Sequence, residues 1–299
     1  MSPAVLGATF ALATALTWSV ASLFFKRAGE AMHPIPLSII NCALGLVLMV
    51  ILGLFSGVTL TPDVPWQTTL RFAVSGAMGI GIADTLYFLC LNDVGAGRAA
   101  IIETAYSPFV VLFAYLHLGE QVTPRDLIGA TFIISGLVLV GFEARGQDTA
   151  PISRLRAVRG IIAGLGACFF FGIAIVAIKA QLPDHDVRWV ATVRMSGGLV
   201  ASMVIALANP RWLRATIDAL KPQPAWRFAL PGAFFGMFVS MQLWVAGFKY
   251  AKAAIAAVLN QTSTLFIVVL AAIFLHERLT PMKLVAVLLG FIGSVLVVM

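Results

Sequence analysis

Ten apolar runs dominate the chain, at roughly 3–25, 34–56, 71–91, 98–118, 126–143, 158–180, 188–208, 227–248, 253–275 and 282–299. A helix needs about 20 mainly apolar residues to cross the hydrocarbon core of a bilayer. Within lipid every backbone N–H and C=O must be paired inside the protein, which leaves the helix as the spanning element for runs of this length. The expectation is an all-α integral membrane protein of ten transmembrane helices. Composition excludes the soluble alternative: 60% of the 299 residues are hydrophobic and 11% are charged, against about 25% charged in an ordinary soluble domain. No polar stretch is long enough for an extramembrane domain. The two longest connections, 144–157 and 209–226, are rich in proline or charge. The first run has no basic residue before it, unlike a secretory leader with its positive n-region and shorter apolar core, so it reads as a retained span.

The second constraint is internal duplication. The segment LNDVGAGRAAIIETAYSPFVVLFAYLHLGEQVTP from Leu91 aligns without a gap on FKYAKAAIAAVLNQTSTLFIVVLAAIFLHERLTP from Phe248, at a constant offset of 157. Glu120 falls on Glu277, Thr123 on Thr280, Pro124 on Pro281 and Gly136 on Gly293. Upstream, RFAVSGA at 71 matches RFALPGA at 227, and Lys26 falls on Lys179. Residues 1–143 and 158–299 therefore read as two five-helix repeats joined by a 144–157 linker. Five is odd, so the second copy enters the membrane from the opposite side. Inverted repeats of this kind build many secondary transporters, with the substrate held near the midplane between the halves.

Three charged side chains fall deep inside the runs: Asp84, Glu103 and Arg194. A charge at the bilayer centre costs at least about 2.5–3.5 kcal/mol, so each is expected to face a cavity or a partner. Glu103, Tyr106 and Ser107 are spaced i, i+3, i+4 and share a helix face. Pro108 removes the N–H that would have paired with the Thr104 carbonyl, which predicts a kink or a spare acceptor there. In the second repeat Asn260 and Gln261 occupy the positions of Glu103 and Thr104, and Tyr87 and Thr85 correspond to Trp244 and Gln242. Trp18 corresponds to Phe171. The expected site is a central cavity lined by Trp18, Tyr87, Glu103, Tyr106, Phe171, Gln242, Trp244, Asn260 and Gln261. Its aromatic walls suit a flat or cationic organic substrate, and Asp84 and Glu103 are the candidate proton carriers. Two structural alternatives stay open at this point. Glu103 could join helices by bonding Asn260, and Arg194 could neutralise Asp84 or Glu103. Trp66, Trp189, Trp212 and Trp226 lie near span ends and read as interfacial belt residues, and Gly76, Gly79, Gly81, Gly160 and Gly164 as close-packing positions between helices.

Several partner classes drop out. The net charge of +7 comes from basic residues in short loops, an orientation signal of membrane proteins rather than a nucleic-acid footprint. The three cysteines lie in apolar runs and the four histidines are scattered, so neither a disulfide framework nor a metal site is expected. No cofactor or ATP motif occurs.

A tryptophan–serine or phenylalanine–glycine pair followed by lysine late in the first span of each half, together with GEQVTP at 119 and HERLTP at 276, resembles the EamA branch of the drug/metabolite transporter superfamily. The resemblance covers nearly the whole chain. It implies a ten-helix, basket-like transporter of small organic solutes, often an exporter, in a bacterial inner membrane, for which a monomer suffices. The aromatic-lined centre is similar to the aromatic amino-acid exporters of the YddG type. Cationic drugs or other amino acids are the alternative substrates. A sugar-phosphate exchanger would need several basic residues in the cavity, and an intramembrane enzyme would need a His/Asp cluster or a Ser/His pair at one depth; neither pattern is present in the sequence. The loop and span-end Lys and Arg divide 13 to 6 in favour of the side away from the termini, which places the 144–157 linker inside and both termini outside, whereas the resemblance implies cytoplasmic termini for many members.

Overall fold

A computed structural model describes residues 3–56, 64–119, 124–143, 153–251 and 253–296. Among these the regular secondary structure is entirely helical. In the first half α1 is Pro3–Gly29, α2 Pro34–Ser56, α3 Trp66–Gly76, α4 Ala83–Val94, α5 Ala96–Glu103, α6 Tyr106–Leu118 and α7 Pro124–Glu143. In the second, α8 is Arg154–Lys179, α9 Val187–Leu207, α10 Pro210–Ala219, α11 Trp226–Ala233, α12 Met241–Tyr250, α13 Ala253–Phe274 and α14 Pro281–Leu296. Among the described residues seven helical stretches are long and apolar enough to cross a membrane, and three further apolar helical segments, Leu127–Gly136, Leu259–Phe274 and Pro281–Gly293, are shorter. Large aliphatic and aromatic side chains cover the outside of the bundle, among them Leu54, Phe55, Ile134, Ile162, Val200 and Leu288. A soluble protein buries such residues; here lipid solvates them.

The helices interleave the two halves. α1 packs on α11, α12 and α13, α4 on α8, α3 on α9, and α7 on α14. α3 and α9 meet through glycines: a Cβ on Gly76 would collide with the main chain of Arg194, and one on Gly197 with that of Ala73. This contact presses the backbone carrying Arg194 against the first repeat.

Both repeats contain a π-helical segment at the same place, Ala77–Ile82 between α3 and α4 and Phe234–Ser240 between α11 and α12. The side chain one turn later bonds back to a carbonyl of each segment. Thr85 Oγ1 donates to the Gly81 carbonyl at 2.7 Å, and Gln242 Nε2 to the Phe238 carbonyl at 2.7 Å. These four residues correspond pairwise at the repeat offset.

The duplicated loop motifs satisfy helix ends. The Glu277 carboxylate accepts from the Ala96 and Gly97 amides at 2.7 and 3.0 Å, filling two donors that the first turn of α5 leaves open. Lys283 Nζ lies 3.6 Å from the same carboxylate. Lys179 Nζ donates to the main-chain carbonyls of Phe248, in the last turn of α12, and of Ala251, just beyond it. Glu120, Thr123 and Lys252, and most of the 144–157 linker, fall outside the described residues.

Gly119 and His276 occupy corresponding positions just past the helix ends, and both have positive φ, at 68° and 55°. Glycine adopts this region freely, whereas an L side chain there costs roughly 1–2 kcal/mol. His276→Gly is therefore expected to stabilise the fold by about 1 kcal/mol, less the entropy glycine adds to the unfolded chain. Thermal unfolding in detergent reads this directly; an unchanged or lowered Tm would mean that the imidazole makes a compensating contact.

Of the expected belt tryptophans, Trp66 is 68% exposed, as an interfacial residue should be. Trp189 is not one: it is buried, with its ring edge-on to Phe72 at 5.4 Å, because it starts α9 on the face turned towards α3.

Candidate functional site

The break in the fourth apolar run falls one turn before Pro108. α5 ends at Glu103, Thr104 and Ala105 form a tight turn, and α6 begins at Tyr106. The Thr104 carbonyl, deprived of its usual donor by Pro108, accepts from the Ser107 amide at 3.4 Å. The amides of Thr104 and Ala105 likewise pair three residues back, tightening the helix on either side of the turn. The corresponding stretch of α13 has Leu265 in place of the proline, and that helix runs without interruption from Ala253 to Phe274.

The interruption faces a cavity with about 740 Å³ of space free of atoms, part of it continuous with the outside. Trp18, Asp84, Glu103, Tyr106, Phe171, Trp244, Asn260 and Gln261 all line it. Two expected residues do not. Tyr87 lies behind the Trp18 ring, 5.5 Å between centroids, with its hydroxyl 3.0 Å from Ser22 Oγ. Gln242 is turned back along its own helix to the Phe238 carbonyl. Arg194, Thr14, Ser240 and Ser263 complete the polar wall. The three hydroxyl residues went unnoticed in the sequence, because a lone Ser or Thr in an apolar run usually bonds its own helix backbone.

Glu103 is held by an indole. Trp18 Nε1 donates to Glu103 Oε1 at 3.0 Å, and Glu103 Oε2 has no partner within the protein. Asn260 was expected to face Glu103 across the pseudo-twofold axis, yet neither atom of its amide is bonded; Gln261 Nε2 instead donates to the Glu103 main-chain carbonyl at 3.3 Å. The break after Glu103 has turned that carbonyl towards α13, and Gln261 uses it.

Arg194 is buried at 2% exposure without forming an ion pair to Asp84 or Glu103. Its Nη1 donates to Ser75 Oγ, its guanidinium lies 5.2 Å from the centroid of the Trp244 ring, and Nε has no partner within the protein. Ser75 in turn donates to the Ala174 carbonyl at 2.5 Å. Asp84 Oδ2, Tyr106 OH and Gln261 Oε1 are also buried and unpaired. A buried polar atom left unpaired costs about 1–3 kcal/mol, and such atoms are uncommon in native proteins. Several converging on one cavity beside four aromatic side chains mark a polar ligand site with ring-accepting walls. Among the described residues no group of three His, Cys, Asp or Glu side chains is placed to hold a metal ion.

The molecule is thus a polytopic helical membrane protein with a polar cavity enclosed by both halves of the chain. The model of the EamA-like transporter family matches it twice, over residues 5–142 and 158–299, and the chain belongs to that family. Among its relatives, a transporter of uncharacterised function from Methanothermobacter thermautotrophicus is 27% identical over 203 residues, 68% of this chain and 56% of that protein. Human solute carrier family 35 member G1 is 22% identical over 214 residues, 69% and 57% of the two chains. The chain spans about half the length of the curated relatives it matches. A crystal structure at 18% identity shares the fold with a TM-score of 0.72 over 98% of this chain and 96% of the other.

Proposed function

We propose that the protein is a secondary transporter that exports small organic metabolites, with aromatic amino acids as its main substrates, by alternating access around this cavity. On this reading all ten apolar runs span the membrane, residues 1–143 and 158–299 form the two inverted repeats, and one chain of a bacterial inner membrane suffices for transport. The observation that carries it is the juxtaposition of a guanidinium, two carboxylates and four aromatic side chains on one cavity. Arg194, with its free Nε, would take the substrate carboxylate. Glu103 and Asp84 would face the ammonium group and carry the coupling proton. Trp18, Tyr106, Phe171 and Trp244 would take the ring. Asn260 and Gln261 offer neutral donors and acceptors between these ends, while Tyr87 and Gln242 support the wall from behind. Two carboxylates against one guanidinium also favour a second reading, cationic drugs without a carboxylate.

Ligand-dependent stabilisation of the purified protein separates the two, since a bound solute raises Tm by mass action. Tryptophan, phenylalanine, leucine and tryptamine form a suitable panel. Tryptophan and phenylalanine are expected to stabilise most, whereas a response to tryptamine alone would favour the cationic reading. Trp244→Ala should weaken aromatic ligands over leucine by about 0.5–1.5 kcal/mol, or roughly 2- to 12-fold. Equal losses for every ligand would assign Trp244 to packing beneath Arg194.

A further inference from the structure

We propose that α10 is a binding ledge for an anionic phospholipid, whose phosphate is held by Arg211 and Arg214 and whose acyl chains lie along Leu207, Ile217 and Leu220. A ten-residue helix is about 15 Å long, too short to span, and it joins the end of α9 to the start of α11. It therefore runs where those spans leave the hydrocarbon. Asn209 fixes its start by accepting from the Arg211 amide at 2.9 Å, with Pro210 in the first turn.

Three sectors follow from the helical period. Trp212 and Ala219 face the protein, Trp212 packing with Ile35, Ile39 and Ala206 and Ala219 buried. Ile217 and Leu220 are 53% and 62% exposed and continue the exposed Val204 and Leu207 at the end of α9. Arg211 and Arg214 lie on the third sector, exposed and one turn apart, with Lys221 just beyond the helix.

Charge selects the headgroup. Asp218 is the one acid on α10, and its carboxylate is engaged by Lys221 Nζ at 2.6 Å. The two guanidinia are left to a phosphate, which each can grip with paired N–H donors. Asp218 lies on the arginine sector, four residues after Arg214, and with Arg211, Arg214 and Lys221 around it the sector keeps a net positive charge. An apolar flank beside a cationic face is the arrangement by which interfacial helices bind anionic bilayers, each basic residue near the surface contributing roughly fivefold in affinity.

The test uses the full chain in neutral detergent, titrated with dioleoylphosphatidylglycerol while thermal unfolding is followed. The lipid is expected to raise Tm saturably, dioleoylphosphatidylcholine and inorganic phosphate not. Arg211→Gln/Arg214→Gln should raise the half-maximal phosphatidylglycerol concentration at least about tenfold, and Arg211→Lys/Arg214→Lys should retain most of the response. An unchanged response in the glutamine double variant, or an equal response to phosphatidylcholine, overturns the proposal. A shift produced by phosphate alone overturns it in favour of a soluble-anion site. Should the double variant not fold, the single variants serve: intermediate responses support the ledge and wild-type responses refute it. No transported solute enters this experiment, so its outcome is separate from the cavity reading.

Discussion

Glu103→Gln is expected to abolish concentrative transport and leave the protein folded. Glutamine matches the volume of glutamate and can still offer an oxygen to Trp18 Nε1, the one side-chain partner seen for this carboxylate. A volume-conserving change of this kind should cost less than about 1.5 kcal/mol. What disappears is one of the two carboxylates that line the cavity, the other being Asp84. In proteoliposomes the variant should still exchange labelled for unlabelled substrate, because exchange needs no net proton movement, and the exchange should be insensitive to pH. Concentrative uptake driven by a pH gradient should fall to background. If Glu103→Gln concentrates substrate as the native protein does, coupling lies elsewhere, with Asp84 the next group to test.

Arg194→Met should produce the second large effect, and a selective one. The guanidinium is buried without a direct ion pair, but it acts electrostatically on the buried Asp84 carboxylate of the same cavity, which its removal leaves without a nearby cation. Ser75 keeps its bond to the Ala174 carbonyl, and methionine fills the space beneath Trp244 with an adaptable side chain. Stability should fall, by less than the about 3–5 kcal/mol of a broken buried ion pair, because the two groups are not in direct contact. Binding of amino acids should weaken by about 1.5–3 kcal/mol, the worth of hydrogen bonds to a charged group, or roughly 10- to 150-fold in Kd. Tryptamine, which has no carboxylate, should be spared. Arg194→Lys should not rescue, because a lysine offers neither the planar fork nor the flat face presented to Trp244. Equal weakening of tryptophan and tryptamine would assign Arg194 to shaping the cavity.

The helices were legible because hydropathy alone specifies them, and the depth of Glu103, Arg194 and Asp84 was legible because charge is costly there. Which groups would meet was harder to read. Trp18 and Glu103 are 85 residues apart, and no local pattern announces that an indole will hold a carboxylate. Tyr87 and Gln242 are expected on the wall from the repeat correspondence with Trp244 and Thr85, which pairs positions and not the directions that side chains take. Tyr87 is drawn instead to Ser22 and the back of the Trp18 ring, and Gln242 to the Phe238 carbonyl of its own helix, contacts that no spacing announces. Trp189 illustrates the same limit at a span end: proximity to the interface in sequence does not say which side of the helix the ring takes.

The one proline at position 108 has an energetic consequence beyond geometry. A carrier made of two interchangeable inverted halves would hold its inward-open and outward-open forms at equal energy, since exchanging the conformations of the halves converts one form into the other. Here one half carries a broken helix beside the cavity and the other, with Leu265 in that place, an unbroken one. The exchange therefore does not return the same molecule. On the alternating-access reading the empty carrier would rest preferentially on one face, and the free-energy difference between its two faces would bias the cycle before any substrate or proton binds.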